Sequence, residues 1–336
     1  MSDSNMKTGV GLSPAAAEII DSLRPVLAGM EKERIHAIAK HRKGQLFGLL
    51  AFVLLGSAAV ILFLKSPENP VPSFLLGAAA ILLSLLGYSL IHRSARASYV
   101  RRFKEEVFSQ AAAAIAPGIQ YRPESMVPRQ DFERSRLFSS RIDRYQGEDC
   151  FSGKIGATDL LFSEIKVERR DTSTDSKGRT RTTWVTVFKG IYLTADFHKH
   201  FRCEVSIVPD IAEATFGWLG RKIQGLSSDL VRLENPDFER AFKVRASDPV
   251  ELRYLLTPDM QERLLAFRNS WSNQVRFALL DSRLHLAIPN NNNWFEPTIG
   301  KPASDTGQLS LFIEQLEQLL AVPEQLDLNT RIWTKE

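Results

Sequence analysis

The chain has 336 residues, 44% of them apolar and 24% charged, with a mean hydropathy of -0.15. These are the averages of an ordinary globular protein; they exclude a disordered, collagen-like or disulfide-rich chain, and Cys150 and Cys203 lie too far apart for a CxxC zinc site. The formal charge of +4 is local: residues 32–43 carry +4 and residues 92–104 carry +5, so the remainder sums to -5, which excludes nucleic acid as a partner.

In chain order, residues 1–11 read as a disordered tail and residues 12–45 as an N-terminal cytoplasmic helix. Ser13 is its expected N-cap, Pro14 its first residue and Pro25 a bend. Residues 46–64 and 71–91 are uncharged apolar runs of 19 and 21 residues. At about 1.5 Å per residue each spans roughly the apolar thickness of a bilayer. They predict two transmembrane helices joined by an external turn, residues 65–70. Because the turn is short, the basic collars Lys40, Arg42, Lys43 and Arg93, Arg96, Arg101, Arg102 share one side of the membrane. The positive-inside rule makes that side cytoplasmic, with both termini in it and anionic lipid headgroups as partners. The expected location is thus a membrane whose cytoplasmic side carries both collars. Neither span holds an ionisable residue, so the pair reads as an anchor rather than a pore. Small residues mark a packing face on each span: Gly44, Gly48, Ala51 and Ala58 on the first, Ser73, Gly77, Ala80, Ser84 and Gly87 on the second. Such faces pack within the hairpin or between copies of the chain.

Residues 92–118 predict a juxtamembrane helix ended by Pro117-Gly118, and residues 119–336 a cytoplasmic domain. Alternating apolar residues predict strands over 149–153, 158–168, 182–197, 202–208, 229–233 and 241–245. The polar stretch Arg169–Arg181 between two of them reads as a long, mobile hairpin loop. Glu234, Asp237 and Glu239 fall in a turn around Asn235-Pro236. Asp248 and Thr257 are expected helix caps, and Asp281-Ser282 a tight turn between strands 275–280 and 283–288. Residues 306–320 form an amphipathic closing helix. The fold class is α+β: a two-helix transmembrane hairpin followed by a mostly antiparallel sheet with flanking helices.

Motifs for chemistry are scarce. The chain has no phosphate-binding loop, GxSxG or HExxH, so no catalytic residue and no cofactor is expected. Both cysteines sit in strand patterns and read as buried, inert thiols. Asp196, His198 and His200 would share one face if their strand continued, an arrangement a metal could use. The interleaved Phe197, Lys199 and Phe201 favour instead a strand running into a turn, and no metal is expected. In FGWLGRKI, residues 216–223, Trp218 with Arg221 and Lys222 could contact a partner or the membrane, or form a buried connector.

Several segments together resemble a family of bacterial two-pass membrane proteins that carries a domain of unknown function. They are the two spans, GIYLTADF (190–197), LENPDFERAFKV (233–244), RYLLTP (253–258), LHLAIP (284–289) and FEP (295–297). The resemblance covers roughly residues 30–300 and leaves out His198 and His200. It implies a topology and no reaction, so no catalytic residue follows from it. The reading is a membrane-anchored cytoplasmic interaction domain binding a protein or lipid partner, or a second copy of itself. A membrane-tethered, metal-dependent enzyme centred on Asp196, His198 and His200 is one alternative, and a pleckstrin-like lipid sensor another, the latter by fold analogy alone.

Overall fold

The computed structural model describes residues 14–65, 68, 70–176, 178–197, 199–210 and 229–329. The expected tail 1–11 and the Ser13 cap lie outside the described residues. The chain divides into two compact units: a helical one, residues 1–111 with Glu296–Leu311, and a sheet unit, Ala112–Phe295 with the chain from Phe312 onward.

In the helical unit, α1 (Pro14–Ser22) gives way at Leu23 to α2 (Arg24–Lys65), a continuous helix of 42 residues. Pro25 accounts for the break: it sits in the first turn of α2, where a missing N–H leaves no bond unmade. The second long helix, α3 (Val71–Phe103), lies alongside α2. Phe63 meets Phe74 edge-on at 6.5 Å, and the Ser84 hydroxyl donates to the Gly48 carbonyl at 3.1 Å. The small-residue stripes are therefore the surface on which these helices meet. One position differs from expectation: Ala59 is buried and Ala58 exposed. Helical spacing carries the stripe through residues 48, 51, 55 and 59, and residue 58 is turned away by about 100°. Among the described residues, α2 alone is long and apolar enough to cross a membrane; the apolar part of α3, Val71–Leu86, is shorter.

The helix expected over residues 92–118 is not uniform. After α3 comes one π-helical turn, Lys104–Phe108, in which the Ser109 N–H donates to the Lys104 carbonyl, and then α4 (Ser109–Ile115). The extra residue in the turn brings Lys104, Val107 and Phe108 inward together. Lys104, almost fully buried, is compensated by Glu296 at 3.4 Å, and Arg96 approaches the same carboxylate at 3.5 Å. Arg34 donates to the Ile299 carbonyl and Glu31 accepts from the Ala303 N–H, which fastens residues 296–303 to the helices.

The sheet unit holds nine strands among the described residues, paired antiparallel throughout: β1 (Ile119–Arg122), β2 (Arg144–Ile155), β3 (Thr158–Thr174), β4 (Thr180–Asp196), β5 (Val205–Pro209), β6 (Asp229–Val231), β7 (Phe242–Ala246), β8 (Arg276–Leu280) and β9 (Arg283–Pro289). Their spatial order is β1-β2-β3-β4-β9-β8-β5-β7-β6. The expected turn is present, with Asp281 and Ser282 both at positive φ, as a two-residue hairpin requires. Asp248 and Thr257 cap their helices, Pro249–Leu255 and Pro258–Trp271, by accepting backbone N–H bonds.

Three expectations need correction. The stretch 169–181 is mostly strand: β3 and β4 run on to Thr174 and from Thr180, pairing Thr172 with Thr182. Both faces of this ribbon meet water, so its strand period carries no apolar signal; the strands are joined where the Asp175 N–H donates to the Arg179 carbonyl. The 234–239 turn opens into a helix, Pro236–Ala241, capped by the Asn235 carboxamide oxygen. A strand, β1, and a short helix, Arg129–Arg134, appear where none was expected.

Apolar side chains cover both sheet faces. On one, Phe151 stacks on Tyr121 at 4.5 Å and on Phe162 at 4.7 Å, closed by Phe295 and by Phe312 of the helix Thr306–Leu320. On the other, Phe132 packs among Phe138, Tyr145, Phe188 and Tyr192, over Ile165 and Val167. Fully burying such a ring contributes about 1.5–3 kcal/mol.

Candidate functional site

A polar cleft of about 270 Å³ opens in the sheet unit, lined by Gln146 and Glu148 of β2, Glu164 and Lys166 of β3, Lys189 of β4 and Asn293. Strand register creates it. Glu148 pairs with Glu164 across β2 and β3, and Lys166 pairs with both Gln146 and Lys189. Directly opposed like charges destabilise a sheet, so one row of two carboxylates beside one row of two ammoniums is an arrangement that packing alone does not favour.

The backbone is fitted around this spot. Gly147, Ile165 and Gly190 form the adjacent row. A Cβ on Gly147 would collide with the Glu164 carbonyl oxygen, and one on Gly190, at φ 147°, with that of Ile288. Between Glu148 and Phe151 the register shifts, and Asp149 adopts φ 58°. This bulge turns the Asp149 carboxylate into the interior, where it accepts a hydrogen bond from the Tyr121 hydroxyl.

Glu164 is the centre of the cleft. Only 6% of it is exposed, and its carboxylate accepts the Trp294 N–H at 2.9 Å. Burial pushes its pKa up to about 7; the Trp294 bond and Lys189 oppose the rise, while Asp149 and Glu148 add to it. The Lys189 ammonium is held by the Asn291 carbonyl at 2.7 Å and the Asn293 carboxamide oxygen at 2.9 Å. The loop bearing these asparagines is anchored by Trp294 and Phe295, both buried. Glu168, by contrast, is held below the usual carboxylate range by hydrogen bonds and charge from Lys166, reinforced by Arg144. Chemically, the cleft offers a carboxyl that exchanges its proton near neutrality beside a fixed ammonium, a pair suited to binding a polar group or to acid–base work.

A second buried polar pair lies on the Phe132 side. The Tyr192 hydroxyl donates to the Asp131 carbonyl at 3.0 Å and lies 2.8 Å from His285 Nδ1. Burial, followed by the Arg283 charge, lowers the His285 pKa to about 4, so the ring is neutral. This is core polar satisfaction rather than an open site.

The residues singled out by sequence fall elsewhere. β4 stops at Asp196, which pairs with Arg283 of β9, and Phe197 turns its N–H to the Ser282 carbonyl. The alternation that would place Asp196, His198 and His200 on one face therefore ends before it begins; His198 itself lies outside the described residues. Among the described residues no cluster of three metal-ligating side chains occurs. Trp218, Arg221 and Lys222 also lie outside the described residues. In the collars, Lys40, Arg42, Lys43 and Arg101 are exposed on α2 and α3, Arg96 faces Glu296, and Arg102 pairs with Glu33 at 2.9 Å and with Glu106. The side chain of Arg93 is outside the described residues. Both cysteines are buried, and burial pushes the Cys150 thiol up, as an inert thiol requires. Sequence reading missed the cleft entirely, although one acid inside the apolar run Leu160-Leu-Phe-Ser-Glu-Ile165 was the available signal.

A family described as "Protein of unknown function (DUF3137)" matches residues 186–328. The match includes Lys189, His285, Asn293 and Trp294 and ends short of Glu148 and Glu164. It carries neither a bacterial origin nor a membrane topology. No curated protein matches the chain, and no solved structure does. The chain is thus similar, over its C-terminal residues 186–328, to a family whose function is not assigned.

Proposed function

We propose that the protein is a membrane-anchored binding module, held by α2 and α3 as a two-pass hairpin. One observation carries this reading: the helix pair is built inside out for water. Phe47, Leu64 and Phe74 are 73%, 72% and 70% exposed, as are most of their apolar neighbours, while Gly48, Ala59, Ala80 and Ser84 face the partner helix. In water each of these large side chains forgoes about 1.5–3 kcal/mol of burial, and a bilayer supplies what is lacking. Small residues at the contact are the usual means of helix association in lipid.

The collars then lie at one end of the hairpin. Positive-inside bias assigns that end, both termini and the sheet unit to the cytoplasm of a bacterial inner membrane. Each exposed Lys or Arg there adds about 1 kcal/mol of attraction to anionic headgroups. The sheet unit binds its partner at the Glu164 cleft, whose mixed charges suit a polar ligand or a polar segment of a protein. A membrane-tethered enzyme is the second reading, favoured by the Glu164 carboxyl and the Lys189 ammonium lining one cleft; a pleckstrin-like role has no such observation behind it.

Alkaline carbonate extraction of membranes from cells expressing the full chain tests the anchor. The protein is expected to stay in the pellet. Its release into the supernatant would overturn the two-pass reading and leave at most a peripheral association.

A further inference from the structure

A second cavity in the sheet unit, of about 110 Å³, is lined by residues of a quite different character: Phe138, Ser139, Ser140, Arg169, Thr186 and Arg276, with two valines. Arg276, on β8, is largely buried. Its Nη1 donates to the Leu137 carbonyl at 2.9 Å, and its guanidinium lies 4.4 Å above the Phe138 ring. Among the described residues no carboxylate pairs with it. A guanidinium does not lose its charge in a protein, and a charge withdrawn from water needs a counter-charge. One carbonyl and one ring face engage only part of the guanidinium; its other N–H donors are not sealed off from water and can meet a ligand in the cavity.

The rest of the lining points the same way. Arg169 brings a second guanidinium, 3.0 Å from Asp171 on its outer side. The hydroxyls of Ser139 and Ser140 make no hydrogen bond among the described residues, and no acid lines the cavity; Thr186 pairs with Glu168, so its side chain lies on the other face of the sheet from Arg169. Two guanidiniums and two free hydroxyls are donors of the kind that a tetrahedral oxyanion accepts. The volume admits a few water-sized groups, enough for one phosphoryl group and too little for a nucleotide.

We propose that this cavity binds a phosphoryl group, with Arg276 as its largely buried counter-charge and Arg169, Ser139 and Ser140 completing the donor set. The phosphoryl group comes either from inorganic phosphate or from a lipid phosphomonoester headgroup. The site is independent of the Glu164 cleft and of the collars, so it stands or falls apart from the proposed function.

The test uses the full chain in detergent micelles, followed by thermal unfolding in sodium phosphate or in sodium chloride of equal ionic strength. A second arm measures flotation with vesicles containing phosphatidic acid, against vesicles with equal charge as phosphatidylglycerol. Arg276→Gln is the direct variant; because Arg276 also braces Leu137, the double variant Ser139→Ala/Ser140→Ala, which leaves the fold contacts alone, is measured beside it. A saturable rise in melting temperature with phosphate, weakened at least tenfold in apparent affinity in both variants, supports a free phosphate ligand. Preference for phosphatidic acid that both variants lose, with their collars intact, supports a lipid headgroup. No response to either probe, or a response equal in wild type and variants, overturns the proposal.

Discussion

Replacing Glu164 by glutamine removes one proton-binding group from the sheet unit while keeping its size and its bond from the Trp294 N–H. In the folded chain this carboxyl is pushed up to about 7, against 4.5 when unfolded. Between those values the folded state holds a proton that the unfolded state has released. The stabilisation is therefore full below pH 4.5 and is lost as pH rises through about 7. The gap corresponds to roughly 3 kcal/mol, a large share of a domain's net stability. His285 acts with the opposite sign, since its pKa falls from 6.5 to about 4, and stability is lost as pH falls through that window. The two slopes overlap in the wild type, so the difference between wild type and Glu164→Gln isolates the carboxyl. Denaturant unfolding of the full chain in micelles between pH 4.5 and 8, read by tryptophan fluorescence, measures it. Trp294, bonded to Glu164 and stacked on Trp271 at 5.9 Å, is a local reporter. Wild type should lose about 3 kcal/mol more than the variant across this range. Parallel pH curves would refute the assignment of a raised carboxyl to Glu164.

Tyr192→Phe removes the hydroxyl bond to Asp131 and leaves His285 Nδ1 unpaired, and should lower the unfolding free energy by about 1–3 kcal/mol at pH 7 in the same assay. His285→Gln should remove a contribution that falls by roughly 3 kcal/mol between pH 6.5 and 4 and that offsets the Glu164 gain in the wild type, so the variant's stability should rise relative to the wild type's as pH falls. Gly190→Ala forces a Cβ into the Ile288 carbonyl at φ 147° and should destabilise by at least about 1–3 kcal/mol, seen as a lower unfolding midpoint. Neutralising Lys40, Arg42, Lys43 and Arg101 to glutamine should weaken the preference for anionic over neutral lipid in vesicle flotation, by about 1 kcal/mol per charge, and the loss should shrink in high salt.

What the sequence disclosed depended on whether the signal was local. Caps and turns were legible because their chemistry is set within a few residues: Asp248 and Thr257 bond N–H groups two or three positions on, and Asp281-Ser282 needs no distant partner. The apolar runs 46–64 and 71–91 were legible by length and absence of charge, and the small-residue stripe by helical spacing. The ribbon from Arg169 to Arg181 was hidden because its strands are polar on both faces, so cross-strand pairing leaves no alternation to read. The helix Arg129–Arg134 is too short to show a period; Phe132 seated among Phe138, Phe188 and Tyr192 explains where it sits. The cleft was invisible for another reason. Glu148, Glu164 and Lys189 are 16 and 25 residues apart along the chain, and register alone brings them side by side.

The central claim, a two-pass anchor with the collars inside, is tested most directly by labelling intact cells with a membrane-impermeant maleimide. The native thiols, Cys150 and Cys203, are buried and contribute little background. Glu68→Cys, in the short connection between α2 and α3, should be labelled from outside. Lys40→Cys, in the first collar, should be labelled only after the membrane is permeabilised. Labelling of Lys40→Cys in intact cells, or protection of Glu68→Cys until permeabilisation, would contradict the account.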